Sequence, residues 1–383
     1  MRSSARGEVD PFIVMDVMEA ARAAEEAGRS IIHMEVGQPG TPAPRGAQEA
    51  LMAAMTAGDP LGYTVALGLP ALRARIARLY GERHDVDLDP ARVIVTAGSS
   101  GAFILSFTSL FDTGARVGIG APGYPSYRQI LRSLALCPID ISTRPEDRFQ
   151  PLPADVAAYR LDGLLVASPA NPTGTMLGRD ELAALAAACS EAGAAFVSDE
   201  IYHGIGYDRP AVTALEVTDE CYVINSFSKY FSMTGWRIGW MVVPGEHVRR
   251  VERLAQNQFI CPPHASQVAA LAALDCAPEL DANCAVYAEN RRLMLEGLPA
   301  AGFTRLAPPD GAFYIYADVS DLTDDSLAFC RRILDEAGVA VTPGLDFDPW
   351  RGASTLRFSY ARSTADIIEG LSRLQTFMSS HPS

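Results

Sequence analysis

Residues 222–243 read Tyr-Val-Ile-Asn-Ser-Phe-Ser-Lys-Tyr-Phe-Ser-Met-Thr-Gly-Trp-Arg-Ile-Gly-Trp-Met-Val-Val. Two apolar runs, Tyr222–Ile224 and Ile238–Val243, read as buried strands, and between them lies a polar loop that holds Lys229 among small hydroxyl residues. An amine flanked by Ser226, Ser228 and Ser232, with Arg237 eight residues on, suits a lysine that forms an imine beside a bound phosphate. Taken alone, a solvated loop lysine is the commoner reading of such a match. The neighbouring segments decide between the two.

Upstream of this stretch the chain alternates short apolar runs with helical patterns: Val93–Thr96, Ala115–Ile119, Gly163–Ala167 and Ala194–Val197. Such alternation predicts βα units, a mainly parallel sheet and helices on both faces, with ligands collecting at the carboxyl ends of the strands. Polar residues suited to chemistry follow these runs. After Val93–Thr96 comes Gly98-Ser99-Ser100-Gly101, small residues opening a helix, where free N–H groups and the helix dipole favour an anion. After Gly163–Ala167, Pro169 and Pro172 frame Asn171, whose amide is able to donate to a ring oxygen; a plain turn reads the same way. After Ala194–Val197 stands Asp199, which needs a positive partner if buried, for instance a protonated pyridine nitrogen, and Tyr202 is three residues on. An N-cap aspartate beside a core tyrosine is the plainer account of that pair.

In order, Gly98-Ser99-Ser100, Tyr124, Asn171-Pro172-Thr173-Gly174, Asp199-Glu200-Ile201-Tyr202, Ser226-Phe227-Ser228-Lys229, Gly235-Trp236-Arg237 and Arg357 resemble the class I/II aminotransferases of the aspartate aminotransferase superfamily, fold type I enzymes that use pyridoxal phosphate. The likeness runs from Glu35-Val36-Gly37-Gln38-Pro39 to Leu356-Arg357-Phe358-Ser359-Tyr360. It implies transfer of an amino group between an L-amino acid and a 2-oxo acid by a ping-pong mechanism. Lys229 is implied as the Schiff-base lysine and proton shuttle, Asp199 as the partner of the pyridine nitrogen, and Asn171 and Tyr202 as donors to the ring oxygen. Ser99, Ser100, Ser226, Ser228 and Arg237 are implied as the phosphate site, and Tyr124 as a stacking ring. Gly37 and Arg357, with Tyr124 and Asn171 beside them, are implied as the substrate site, Arg357 forking onto the α-carboxylate. Tyr63, in Gly62-Tyr63-Thr64, matches the tyrosine that reaches the neighbouring subunit's phosphate, implying a homodimer with shared active sites.

The fold class expected is α/β: a large pyridoxal-phosphate domain at residues 46–289 and a smaller α+β domain from both chain ends, 1–45 and 290–383. Mostly in the large domain, residues 45–57, 70–81, 248–258 and 264–298 read as helical, the last running on into the small domain. In the small one, a helix at 12–27, Ile31–Val36, Gly311–Tyr316, a helix at 326–337, Val339–Val341 and Thr355–Ser359 are the expected elements. With 383 residues, 48% of them apolar and a net charge of −14, the chain has material for a large core and none for a sequence-independent grip on nucleic acid or an anionic membrane. The first residues lack a signal-like apolar run and no 18-residue apolar span occurs, so a cytoplasmic protein is expected. Seven cysteines without Cys-x-x-Cys spacing and six histidines without His-x-x-x-His predict neither disulfide framework nor metal site. A C–S β-lyase on the same fold needs the same residues. A non-catalytic pyridoxal-phosphate-binding regulator needs a basic, DNA-facing segment that the charge disfavours. No cation outside the motifs is placed against a distal carboxylate, so aspartate, alanine, aromatic and branched substrates all fit.

Overall fold

The structure is a computed structural model and describes residues 1–380. Numbered along the chain, the strands begin with a short β1 (Ile32–His33). Seven more build the central sheet: β2 (Val93–Thr96), β3 (Arg116–Ala121), β4 (Cys137–Ser142), β5 (Gly163–Ala167), β6 (Ala195–Asp199), β7 (Tyr222–Ser226) and β8 (Gly239–Val242), ordered β2-β8-β7-β6-β5-β3-β4. Successive side chains of one strand point to opposite faces. Val93 and Val95 therefore join one core with Leu72, Ile76, Leu182 and Leu185, while Ile94 between them joins another with Phe103, Phe107 and Val251. Both faces are dry, which explains why these strands are continuous apolar runs and not alternating ones.

The sheet is mainly parallel, as the sequence predicts, with two features that the sequence did not specify. β8 runs antiparallel to both β7 and β2, because only residues 227–238 join it to β7 and no crossover helix intervenes. β4, not predicted, is an edge strand pairing with β3 alone; only Ile141 is fully buried in it, and Pro138 is tolerated there because an edge strand need not donate every N–H. The helix expected over 264–298 is two, His264–Ala273 and Ala277–Ala300. Pro278, lacking an N–H, starts the second helix in its first turn and stops the first from running through.

C-terminal to these helices, β9 (Arg305–Leu306), β10 (Tyr314–Asp318), β12 (Thr342–Pro343) and β13 (Thr355–Ser359) form an antiparallel sheet ordered β12-β13-β10-β9, and β11 (Val339–Ala340) pairs in parallel with β1. The N-terminal helix Ile13–Glu26 is held by the same region: the Asp346 carboxylate accepts the N–H groups of Ile13 (3.0 Å) and Val14 (2.9 Å), free donors of its first turn. The segment expected to be extended over 31–36 is strand only at Ile32–His33, since its pairing with β11 is two residues long.

Candidate active site

β2, β3, β5, β6 and β7 all run in one direction, so their carboxyl ends share one edge of the sheet. Gly98-Ser99-Ser100 follows β2, Tyr124 follows β3, Asn171 follows β5, and Asp199 and Ser226 are the last residues of β6 and β7. Because β8 runs the other way, Arg237, two residues before it, reaches that same edge. The antiparallel strand thus serves the site: it lets one loop carry both Lys229 and Arg237.

A cavity of about 480 Å³ opens there, lined by Gly37, Ser99, Ser100, Tyr124, Asn171, Tyr202, Ser228, Lys229, Arg237 and Arg357. Two expected site residues lie behind its wall. Ser226 is buried, its hydroxyl donating to the Ser228 hydroxyl at 2.9 Å, and Asp199 is 2% exposed. Tyr63 is not brought to this cavity; it is 83% exposed on the surface. Gly98 takes φ +73°, and a Cβ there would lie 2.6 Å from Arg237 Nη2, so glycine lets the guanidinium approach the start of helix Gly98–Leu110. At Gly37 a Cβ would fall 1.7 Å from the Tyr314 hydroxyl, so only glycine fits beside that ring.

Three cations face the cavity, and their surroundings separate their chemistry. Lys229 Nζ donates to the Gly37 carbonyl at 2.7 Å. Burial, reinforced by Arg357 and Arg237 and opposed by Asp199, pushes its amine down to about 8, so a usable fraction is unprotonated near neutrality. Arg357, 2% exposed, donates to Asn171 Oδ1 at 2.9 Å, to Thr342 Oγ1 at 3.3 Å and to the Glu35 carbonyl, all neutral oxygens, and its Nε is buried without a partner. Its guanidinium lies over Tyr314 (4.5 Å) and Phe347 (4.8 Å). A buried guanidinium held by neutral groups is poised for an anion. Arg237 is exposed and donates to the Thr234 carbonyl at 2.9 Å.

Several residues of the site were not singled out from sequence. Tyr127 donates its hydroxyl to Asp199 Oδ2, and the Ile201 N–H reaches Oδ1 at 3.1 Å. Burial pushes the Asp199 carboxyl up to about 6, and those two donors and Lys229 pull it back down. Tyr314 pairs with the Tyr202 hydroxyl at 2.8 Å. Phe12, Val14, Met15 and Met18 of the N-terminal helix region add an apolar wall, with Phe12 edge-on to Tyr124 at 6.0 Å. Phe12, Met15 and Met18 carried only a helix signal in the sequence, and Tyr314 only a strand signal. One signal was available and strong: Lys229 is the only lysine of the chain.

The sequence pattern of the family described as aminotransferase class I and II matches residues 29–374. This chain belongs to that family. The aminotransferase is 46% identical over 385 residues to the valine–pyruvate aminotransferase of Mycobacterium tuberculosis, covering 99% of both. A Silicibacter pomeroyi protein of known crystal structure is 71% identical and superposes with TM-score 0.95, covering all of both chains. The Thermus thermophilus aspartate aminotransferase with maleate is 30% identical, with TM-score 0.91, covering 98% of this chain and all of that one. The protein is therefore a pyridoxal-phosphate-dependent transaminase.

The residues present fit that cofactor. Hydroxyls of Ser99 and Ser100 at the start of a 13-residue helix, Ser228 and the Arg237 guanidinium gather the donors a phosphate needs. Asp199 supplies a buried carboxylate with no cation bonded to it, the partner a protonated ring nitrogen requires, and Lys229 supplies the one ε-amine.

Proposed function

We propose that this enzyme transfers the amino group of an L-amino acid with an apolar side chain to a 2-oxo acid, through the cavity between the sheet edge and β13. The observation that carries the reading is the arrangement of three cations on that one cavity: Lys229 with its depressed amine, Arg237 beside a helix start, and Arg357 buried without an anion. Pyridoxal phosphate, when bound, supplies the electron sink that makes the substrate's Cα–H acidic. Arg237 and the hydroxyls of Ser99, Ser100 and Ser228 would hold its phosphate, with Ser226 behind them donating to the Ser228 hydroxyl. Asp199 pairs with the ring nitrogen, Asn171 and Tyr202 donate to the ring oxygen, and Tyr124 covers one ring face. Arg357 forks onto the substrate's α-carboxylate, with the Gly37 loop closing beside it. Lys229 Nζ would take the proton from the substrate's Cα and deliver it to the cofactor's C4′, and would carry a proton the opposite way in the second half-reaction.

The substrate class rests on the cavity's apolar wall, Phe12, Val14, Met15 and Met18, which offers a side chain dispersion contacts and no charge. The name of the Mycobacterium tuberculosis relative supports valine as donor and pyruvate as acceptor. The test is a panel of amino donors against pyruvate and 2-oxoglutarate. Valine and other aliphatic donors should outpace aspartate; a preference for aspartate would overturn the class.

The working unit is a cytoplasmic homodimer. Tyr63, Val65 and Ile260 are exposed apolar residues, and the loops that carry them are joined by the Thr64 N–H to Cys261 Sγ at 3.5 Å; covering them and lending Tyr63 to the other subunit's phosphate accounts for their exposure. Among the described residues no helix is long and apolar enough to cross a membrane, and the seven cysteines are free, as a reducing compartment keeps them. The chain divides into a large domain, 46–289, and a small one, 1–45 with 290–383. Pairing of β1 with β11 and the Asp346 cap on the N-terminal helix support that division, and the helix Ala277–Ala300 is shared across it.

A further inference from the structure

Asp199 sits at the end of β6 with two hydrogen bonds, and they come from different elements. The Ile201 N–H, two residues along the same chain segment, holds Oδ1 at 3.1 Å, while Oδ2 is met by the hydroxyl of Tyr127, 72 residues away in helix Pro125–Ser133. Tyr127 is 4% exposed, and its ring is fixed edge-on by Phe103 (5.1 Å between centroids) and Tyr124 (5.2 Å). Burial and the Asp199 charge hold its hydroxyl well above the ordinary tyrosine range, so it stays a proton donor at any working pH. A donor that cannot ionise, held by packing against a carboxylate that accepts, is a one-way constraint. It favours the charged form of Asp199 and fixes the direction of its lone pairs.

We propose that Tyr127 is the positioning residue of the cofactor's nitrogen site: its hydroxyl keeps Asp199 ionised and aimed at the cavity, so that the carboxylate is ready for a protonated pyridine nitrogen. This rests on the reading of Asp199 given above. Tyr127 also lines the cavity directly, edge-on to Tyr124, so a shift of its ring would be felt by Tyr124 as well as by the carboxylate. The other groups facing Asp199 do not replace it. Lys229 acts on it through charge, at no hydrogen-bond distance, Glu200 beside it disfavours a second charge, and Tyr124 is not hydrogen-bonded to it. Without the Tyr127 hydroxyl, burial is opposed chiefly by one backbone N–H.

Tyr127→Phe keeps the ring and its packing and removes only the donor. The experiment compares purified wild type with Tyr127→Phe, Asp199→Asn and Phe103→Leu, the last loosening the packing around Tyr127 without touching Asp199. For each, thermal unfolding of the apoprotein and the dissociation constant of pyridoxal phosphate are measured from pH 5 to 9. Tyr127→Phe should unfold close to the wild type yet bind the cofactor about tenfold to a hundredfold more weakly, the scale of one hydrogen bond to a charged group. Its acid limb of binding should move up by about one pH unit, because losing the donor makes Asp199 easier to protonate. Tyr127→His, which retains a ring donor, should recover part of the affinity, and carries the test should the phenylalanine variant fold poorly. Unchanged binding in Tyr127→Phe with weakened binding in Asp199→Asn would overturn the role of Tyr127 alone. Unchanged binding in Asp199→Asn would overturn the reading of Asp199 and this inference with it. An equal shift of the acid limb in Phe103→Leu would assign the effect to packing and overturn the inference.

Discussion

Replacing Arg357 with alanine removes a guanidinium whose reorganisation is complete before any substrate arrives. It is already desolvated, at 2% exposure, already fixed by Asn171 Oδ1, Thr342 Oγ1 and the Glu35 carbonyl, and already packed between Tyr314 and Phe347. A carboxylate docking on it forms charge-assisted hydrogen bonds worth about 1.5–3 kcal/mol each. Two of them amount to about 3–6 kcal/mol, and at about 1.4 kcal/mol per tenfold the variant should lose roughly two to four powers of ten in kcat/KM. Arg357→Lys should recover little, since an ammonium keeps the charge but not the planar fork. The assay is steady-state kinetics of both half-reactions with donor and acceptor varied in turn. The α-carboxylate is the group amino acid and 2-oxo acid share, so both substrates should suffer by similar factors while pyridoxal phosphate still binds. Loss with one substrate and retention with the other would refute the assignment and make Arg357 a reader of side chains.

The pH behaviour of the apoprotein and the assembly state give two further tests. Lys229 captures aldehydes only as the free amine, whose fraction grows as pH rises through its pKa; the capture rate for pyridoxal phosphate should therefore rise with a midpoint of about 8, and a midpoint at the ordinary 10.5 would contradict the burial argument. Arg357→Ala, by removing one of the positive charges that depress the amine, should move that midpoint up. If the proposed dimer shares its sites, Tyr63→Phe should weaken cofactor retention without altering sedimentation, and a monomer fully active at nanomolar concentration would rule out shared sites.

The parts of the fold written in continuous apolar runs were legible: Val93–Thr96, Gly163–Ala167 and Tyr222–Ile224 are strands because two dry faces demand apolar residues at every position. The direction of β8 was not, because a buried antiparallel strand has the same composition as a parallel one; the 12-residue connection holding Lys229 was the clue. Edge strand β4, half-exposed and carrying Pro138, has too little apolar content to register. At the site, polar residues just after or at the ends of apolar runs stood out: Lys229, Arg237, Asn171 and Asp199 are set off from the apolar strands beside them, so a chemical reading competes there only with a loop, turn or cap. Tyr127 and Tyr314 did not, since a tyrosine on a helix face or in a strand is written like any core residue, and only the contact with Asp199 or Tyr202 distinguishes it. The apolar wall of Phe12, Met15 and Met18 was visible as a helix and invisible as a pocket, because the cavity it lines is assembled from segments spread along the chain, from Gly37 to Arg357.

The proposed chemistry passes through one amine, and the chain's composition makes that direct to test. With Lys229 the sole lysine, the amino terminus is the other primary amine in the protein. Borohydride reduction of the holoenzyme followed by peptide mass analysis should place one cofactor per chain on the peptide containing Lys229, and the same treatment of Lys229→Ala should yield none, with turnover abolished. Cofactor fixed on any other residue, or transamination surviving in Lys229→Ala, would contradict the account.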